Sequence, residues 1–345
     1  MNGRLGFRVM NGLLQAAIVG SLLVASVQAA EPIRVLIVDG QNNHNWKATT
    51  PILKDFLLKS GRFTVDVVTS PPNGQPKEAW NSFRPKFTDY GAVVSNYNGE
   101  LWPESVQRDL ESYVVNGGGL VIVHAANNAF TEWAEYNKMI GLGWRGADFG
   151  KRVTVDNDGK IVETAKGEGP GAGHGAQHDF AIVVRDREHP VMQGIPAEWM
   201  HVKDELYHGQ RGPAASMHVL ATAFAAKAVG GTEANEPMVW WIPYGKGKVF
   251  TTVMGHAEYS MKCVGFQTIV DRGTEWVATG KVTIPVPKNF QRRLRRCRMM
   301  RGSEWLDESG AGGARYCPHQ GSTRLNAGWR LCKPALLANA GYVGV

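Results

Sequence analysis

Gly117-Gly118-Gly119-Leu120-Val121-Ile122-Val123-His124-Ala125-Ala126-Asn127-Asn128 sets a short apolar run between a glycine cluster and polar residues. A run of this length, without alternation, reads as a strand buried on both faces, the kind found in parallel sheets. Its carboxyl end delivers His124, Asn127 and Asn128, and ligands gather at the carboxyl ends of strands in open α/β sheets.

The same pattern recurs on either side of this run. Ile33-Arg34-Val35-Leu36-Ile37-Val38-Asp39-Gly40 is a first buried strand, followed by the polar loop Gln41-Asn42-Asn43-His44-Asn45-Trp46. Thr49 or Thr50, with Pro51 at a tolerated first-turn position, predicts a helix to about Lys59. Strands are predicted over 63–68 and 92–98. A helix opened by Pro103 carries Val106, Leu110, Tyr113 and Val114 on one face and stops at Gly117. This strand–helix alternation predicts an α/β fold around a mostly parallel, doubly wound sheet. Later elements are less regular. A helix is expected over 132–140 and strands over 152–155, 180–184 and 219–223. A hairpin is expected around Tyr244-Gly245-Lys246-Gly247, and a helix over 266–278. The loop Gly167-Glu168-Gly169-Pro170-Gly171-Ala172-Gly173-His174-Gly175 is too glycine-rich for a regular element.

The formal charge of +7 is uneven across the 345 residues. The first 30 residues hold Arg4 and Arg8 and no acid, and residues 291–345 hold ten Lys or Arg against Glu304, Asp307 and Glu308. Residues 31–290 therefore carry 26 basic and 28 acidic groups, a balance that excludes a nucleic-acid partner for this part by charge. Residues 1–30 read as a signal peptide: a charged start, an apolar region over 13–24 and the small-residue site Val27-Gln28-Ala29-Ala30. That apolar region is shorter than the ~20 residues needed to span a bilayer. The expectation is an exported protein, periplasmic or extracellular, free of the membrane after cleavage. Residues 31–290 would form the functional domain. Residues 291–345 would be a basic, low-complexity tail, disordered or translated out of frame. Cys263 is the sole cysteine of the central part, so no internal disulfide is expected there.

Nine of the ten histidines precede residue 260, and several follow strand ends: His44, His124 and His256. His201, Asp204, Glu205, Tyr207 and His208 form a dense polar cluster, with Arg211 just after it. A lone histidine is most simply a buried, hydrogen-bonded ring. Several converging on one sheet edge suit proton transfer or metal ligation. His174-x-x-x-His178 has the spacing of a helical zinc pair, but its glycines oppose a helix, and no His-Glu-x-x-His occurs. His174, His178 and His208 are the residues from which a divalent metal site would be built, although the sequence requires no cofactor. No Walker or dinucleotide fingerprint accompanies the glycines.

Together the Asn43-His44 loop, the Gly-Gly-Gly-Leu-Val-Ile-Val-His124 strand, Gly173-His174-Gly175 through His178, His189-Pro190, Asp204-Glu205-Leu206-Tyr207 and Gly255-His256 resemble the ThuA-like (trehalose-utilisation) family. This family lies within the class I glutamine amidotransferase-like superfamily, and the resemblance runs from about Ile33 to Pro287. It implies a flavodoxin-like three-layer α/β sandwich and a link to carbohydrate metabolism. In the superfamily's amidotransferases a cysteine stands at the sharp turn after the central strand, partnered by a His-x-Glu. Here the turn is Val123-His124-Ala125, without a thiol, while His256-Ala257-Glu258 resembles the partner pair. Thiol acyl transfer loses its basis.

The expected function is an exported carbohydrate-active enzyme working on a glycoside or oxidised sugar by acid–base chemistry. His124, His44, Asp204, Glu205, His256 and Glu258 are the candidate catalytic residues. Asn43, Asn127, Trp144, Arg145, Tyr207 and Arg211 are candidate contacts to a small carbohydrate. A non-catalytic sugar-binding protein and a metal-dependent hydrolase are the alternatives.

Overall fold

Four consecutive apolar residues of β1 (Ile33–Asp39), Val35 to Val38, are at most 3% exposed, so both faces of this strand are covered. The computed structural model describes residues 31–290, with Met1 and Gly3. The leader and the tail expected from sequence lie outside the described residues. From β1 the chain runs through α1 (Trp46–Lys59), β2 (Phe63–Thr69), β3 (Ala92–Ser95), α2 (Glu104–Val115), β4 (Gly119–Val123) and α3 (Ala134–Ile140). A second half follows: β5 (Arg152–Val155), β6 (Ile161–Thr164), β7 (Gly173–His174), β8 (His178–Val184), β9 (Glu198–Asp204), β10 (Tyr207–His208) and β11 (His218–Phe224). The hairpin β12 (Asn235–Tyr244) and β13 (Gly247–Thr252) then leads to α4 (Glu258–Met261) and α5 (Val264–Thr279).

The main sheet has the order β2-β1-β3-β4-β13-β12-β11-β8-β9, with β5 and β6 branching from β12. The pairings among β2, β1, β3, β4 and β13 are parallel. Those from β13 onward are antiparallel. The sheet is therefore mixed, a correction to the mostly parallel expectation. The parallel half has the 2-1-3-4-5 winding of flavodoxin-like sheets, in which ligands bind outside the carboxyl ends of the strands. Within the antiparallel half, β12 and β13 are joined by only two residues, Gly245 and Lys246, too few for a parallel crossover.

Helices cover both faces of the parallel half. On one, Val106, Leu110, Tyr113 and Val114 of α2 and Tyr136, Met139 and Ile140 of α3 pack on Leu36, Val38, Val93, Leu120, Ile122 and Val249. On the other, α5 lies across β3, β4 and β13 and touches α1. The close approach needs glycine: a Cβ on Gly273 would sit 2.5 Å from Phe250, and one on Gly119 would sit 2.7 Å from Val277. No helix among the described residues is long and apolar enough to cross a membrane.

Two local readings change. α1 starts at Trp46, three or four residues earlier than predicted, because the Asn45 carbonyl already accepts the Ala48 and Thr49 amides. The glycine-rich loop does hold a short strand, β7, which pairs with β10 in a separate two-stranded ribbon.

Candidate active site

At the end of β4 the backbone turns at once. His124 adopts φ +47°, a left-handed conformation costing an L-residue about 1–2 kcal/mol and concentrated at functional sites. Its ring is 2% exposed. Nδ1 lies 2.7 Å from the Val253 carbonyl, so that nitrogen carries the hydrogen and donates it. Nε2 is left with its lone pair directed into the site, where the Tyr207 hydroxyl donates to it at 3.0 Å. Burial lowers His124 to about 4, against the attraction of Asp204 and with the repulsion of His44 and His256. The imidazole is therefore neutral at pH 7.

Below the unfolded value near 6.5 the unfolded chain binds a proton that folded His124 refuses. Its contribution is complete above pH ~6.5 and is lost as pH falls toward 4. In chelator-treated protein, wild type should lose stability over that window more steeply than His124→Asn, by up to about 1.4 kcal/mol per pH unit. Denaturant unfolding at several pH values measures it, and parallel slopes for the two proteins would refute it.

Three other side chains meet His124 Nε2. His44 comes from the loop after β1, His256 from the turn after β13, and Glu205 from the residue after β9. The three imidazoles stand nearly perpendicular to one another: His44 to His124 at 77°, His44 to His256 at 90°, and His124 to His256 at 80°. Glu205 Oε2 lies 3.1 Å from His256 Nδ1, 3.7 Å from His124 Nε2 and 3.8 Å from His44 Nε2. All four donor atoms fall within 4.8 Å of one another. A tetrahedral ion with ~2.1 Å bonds needs its ligand atoms about 3.4 Å apart, which this cluster meets closely. His256 Nδ1 is buried and makes no aligned hydrogen bond despite its proximity to the carboxylate. Donor atoms that converge without bonding each other suit a shared cation. These four residues could hold a divalent cation.

The outer contacts fix which nitrogen faces inward. His44 Nδ1 lies 3.1 Å from Asn42 Oδ1, and the Asn42 amide is tied in turn to the Asn96 carbonyl beyond β3. In both His44 and His124 the outer contact is made by Nδ1, which leaves Nε2 as the nitrogen facing the cluster, the arrangement seen around ligating histidines. Burial opposes charge on Glu205, but contacts with His256 and His44 outweigh it and hold the carboxyl far below its usual range. The Glu205 contact, against burial, raises His256.

Asp204 stands behind this group, fully buried. Its carboxylate accepts from His201 Nε2 at 2.7 Å and from the amides of Gly255 at 2.7 Å, Glu205 at 2.9 Å and His256 at 3.1 Å. Every lone pair is engaged, so Asp204 supports the cluster without facing a substrate. The sole cysteine of the described residues, Cys263, is buried beside His201, and the residue at the elbow is His124.

The remaining expected residues divide. Tyr207 and Trp144 line the cluster, with ring centroids 4.7 Å apart. Asn127 is buried and bonded to Gln210, with its Oδ1 unpaired. Asn43 is exposed and accepts from Asn98. Arg145 and Arg211 are buried and give their hydrogens mainly to backbone carbonyls, which makes them supports for loops. Glu258 opens α4, and it is Glu205 that contacts His256. The set of His174, His178 and His208 is not brought together. His174 Nε2 reaches Glu205 Oε1 at 3.5 Å, His178 is half-exposed and bound to the Ala176 carbonyl, and neither ring nitrogen of His208 has a partner. The convergent donors are instead His44, His124, Glu205 and His256. Asn42 belongs to the site as well, and its signal in the sequence is local: an asparagine two residues before a histidine forms an Asx-turn, here with the His44 amide donating to Asn42 Oδ1.

Comparison with known proteins supports the same relationship. The model of a family described as ThuA, trehalose utilisation, matches residues 34–277. A crystal structure of a ThuA-like protein from Parabacteroides merdae is 44% identical, with a TM-score of 0.72, covering 75% of this chain and 95% of that one. A second ThuA-like protein, from Bacteroides uniformis, is 19% identical with a TM-score of 0.51 over 75% of this chain and 96% of its own, and shows the shared fold. No curated protein sequence matches. The family model spans most of residues 31–290, and the chain belongs to the ThuA family.

Proposed function

We propose that this protein is a divalent-cation-dependent enzyme acting on a glycoside or oxidised sugar, exported by its leader sequence, and working without a cysteine nucleophile. The observation that carries the reading is the convergence of His44, His124, Glu205 and His256 at the carboxyl edge of the parallel strands. Three imidazoles and one carboxylate suit a first-row transition ion better than calcium or magnesium, which prefer oxygen donors. A bound ion would polarise a sugar oxygen and lower the pKa of coordinated water. The family description, trehalose utilisation, supports a carbohydrate as substrate.

The chain's own groups have distinct tasks in this reading. Burial holds the proton on Tyr207, so its hydroxyl donates and does not act as a base. With a cation held by the cluster, His124 Nε2 would serve as a ligand and the Tyr207 hydroxyl would be left to donate to a substrate oxygen. His174, with a partly exposed side chain and Nε2 3.5 Å from Glu205 Oε1, sits where a proton can pass between site and solvent. Trp144, half-buried beside Tyr207 and His174, offers an apolar ring for a sugar to stack on.

Elemental analysis of the purified protein tests the reading, together with turnover of glycosides and 3-keto-glycosides before and after chelation. About one transition ion per chain is expected, with activity lost on its removal and regained on its return. Tyr207→Phe should keep the ion and lose about 10²-fold in kcat. Full turnover by metal-free protein would sink the cation requirement. Sugar binding without turnover by the loaded protein would leave a binding protein instead. The export part stands on residues 1–30, and mass determination of the secreted mature protein checks it.

A further inference from the structure

We propose that His201 and Asp204 are positioning residues that set the separation of Glu205 from His256; this rests on the cation-site reading above. Glu205 lies nearer His256 than either of the other two imidazoles, yet the two stand on loops that no strand pairing joins. β9 lies four places from β13 in the sheet order. Among the described residues, no backbone–backbone hydrogen bond links residues 204–206 to 254–257. The connection is the Asp204 carboxylate. Oδ1 accepts from the Glu205 and His256 amides, and Oδ2 from the Gly255 amide and His201 Nε2. One buried carboxylate thus stitches the end of one loop to the start of the other.

The local geometry allows little else. Gly255 has φ +106°, and a Cβ there would lie 2.7 Å from Phe266. Only glycine makes the turn that aims two successive amides at one oxygen pair, a backbone nest of the kind that binds anions. Here the chain fills its own nest. His201 completes the arrangement from the side of β9. Its ring is fully buried, packs on Phe180 with centroids 5.3 Å apart, and fixes the rotation of the carboxylate through the 2.7 Å bond. Neither side chain reaches solvent, so neither can touch a substrate.

The test uses the full-length protein stripped of metal, and three variants. Asp204→Asn replaces an acceptor with a donor facing the Gly255 and His256 amides. His201→Phe removes the donor to Asp204, and His201→Gln keeps an N–H in its place. Two quantities are read: amide hydrogen exchange at Gly255 and His256 in the metal-free state, and Mn²⁺ affinity by calorimetry. Asp204→Asn and His201→Phe should speed exchange at those two amides at least ~10-fold relative to β1 and β4. The same variants should weaken Mn²⁺ by about 10–100-fold, the usual cost of losing an outer-shell partner. His201→Gln should stay within about threefold of wild type in both. Wild-type exchange and affinity in Asp204→Asn would overturn the proposal. So would protection lost equally across β1 and β4, which is the signature of a merely structural pair. If wild type itself binds no Mn²⁺, the cation reading fails, and exchange in the metal-free protein still decides the clamp.

Discussion

Glu205→Gln should fold and lose the cation together with at least about 10³-fold of turnover, roughly 4 kcal/mol of transition-state stabilisation. The carboxylate is the only anion among the four donors, and His124 is held neutral. Without it, a dication would face three imidazoles and an amide, with no charge to offset its dehydration. The substitution is nearly isosteric, so the cavity survives. The amide leaves His256 without the contact that raises it, so His256 in the metal-free variant titrates lower than in wild type. A histidine titration by NMR separates this from unfolding. Calorimetry and turnover on one preparation give the main result. Retained affinity and retained turnover in Glu205→Gln would remove the cluster from the mechanism.

Part of this site is legible in the amino-acid sequence. The run from Gly119 to Val123 is apolar throughout, and a strand buried on both faces leaves no other pattern, so β4 and its terminal His124 followed from the sequence. β9 did not. Its sequence, Glu-Trp-Met-His-Val-Lys-Asp, places His201 at an inward-facing position two residues from Trp199, and both are buried. A histidine where the alternation demands an apolar side chain hides the strand from a reading based on hydrophobic period. The local rule fails because the position serves the site. The choice of Glu205 over Glu258 as partner of His256 was hidden for a different reason. Glu258 is two residues away in sequence, whereas Glu205 arrives through a tertiary contact, the end of β9 meeting the Gly255 turn at the Asp204 carboxylate.

Arg211→Ala should be the most destabilising single change outside the cluster, at about 3–5 kcal/mol, since it strips donors from several buried acceptors at once. Arg211 is fully buried, and its guanidinium donates to the carbonyls of Gly150, Ala165, Glu168 and Pro170. The need for it comes from the glycine-rich loop. A segment with so little regular structure cannot satisfy its own carbonyls, and buried carbonyls must be paired. One planar fork with five N–H donors meets several of them, which an ammonium on a flexible stem cannot do. The sequence suggested a substrate contact because arginine beside a polar cluster is usually exposed, and burial among loop carbonyls leaves no periodic mark. The same loop carries His174 to Glu205, so Arg211→Lys should fold more stably than Arg211→Ala yet still disturb the site mouth. Denaturant unfolding of the two variants beside wild type provides the measurement. Stability of Arg211→Ala within about 0.5 kcal/mol of wild type, the usual span of an ordinary surface change, would return Arg211 to the substrate side.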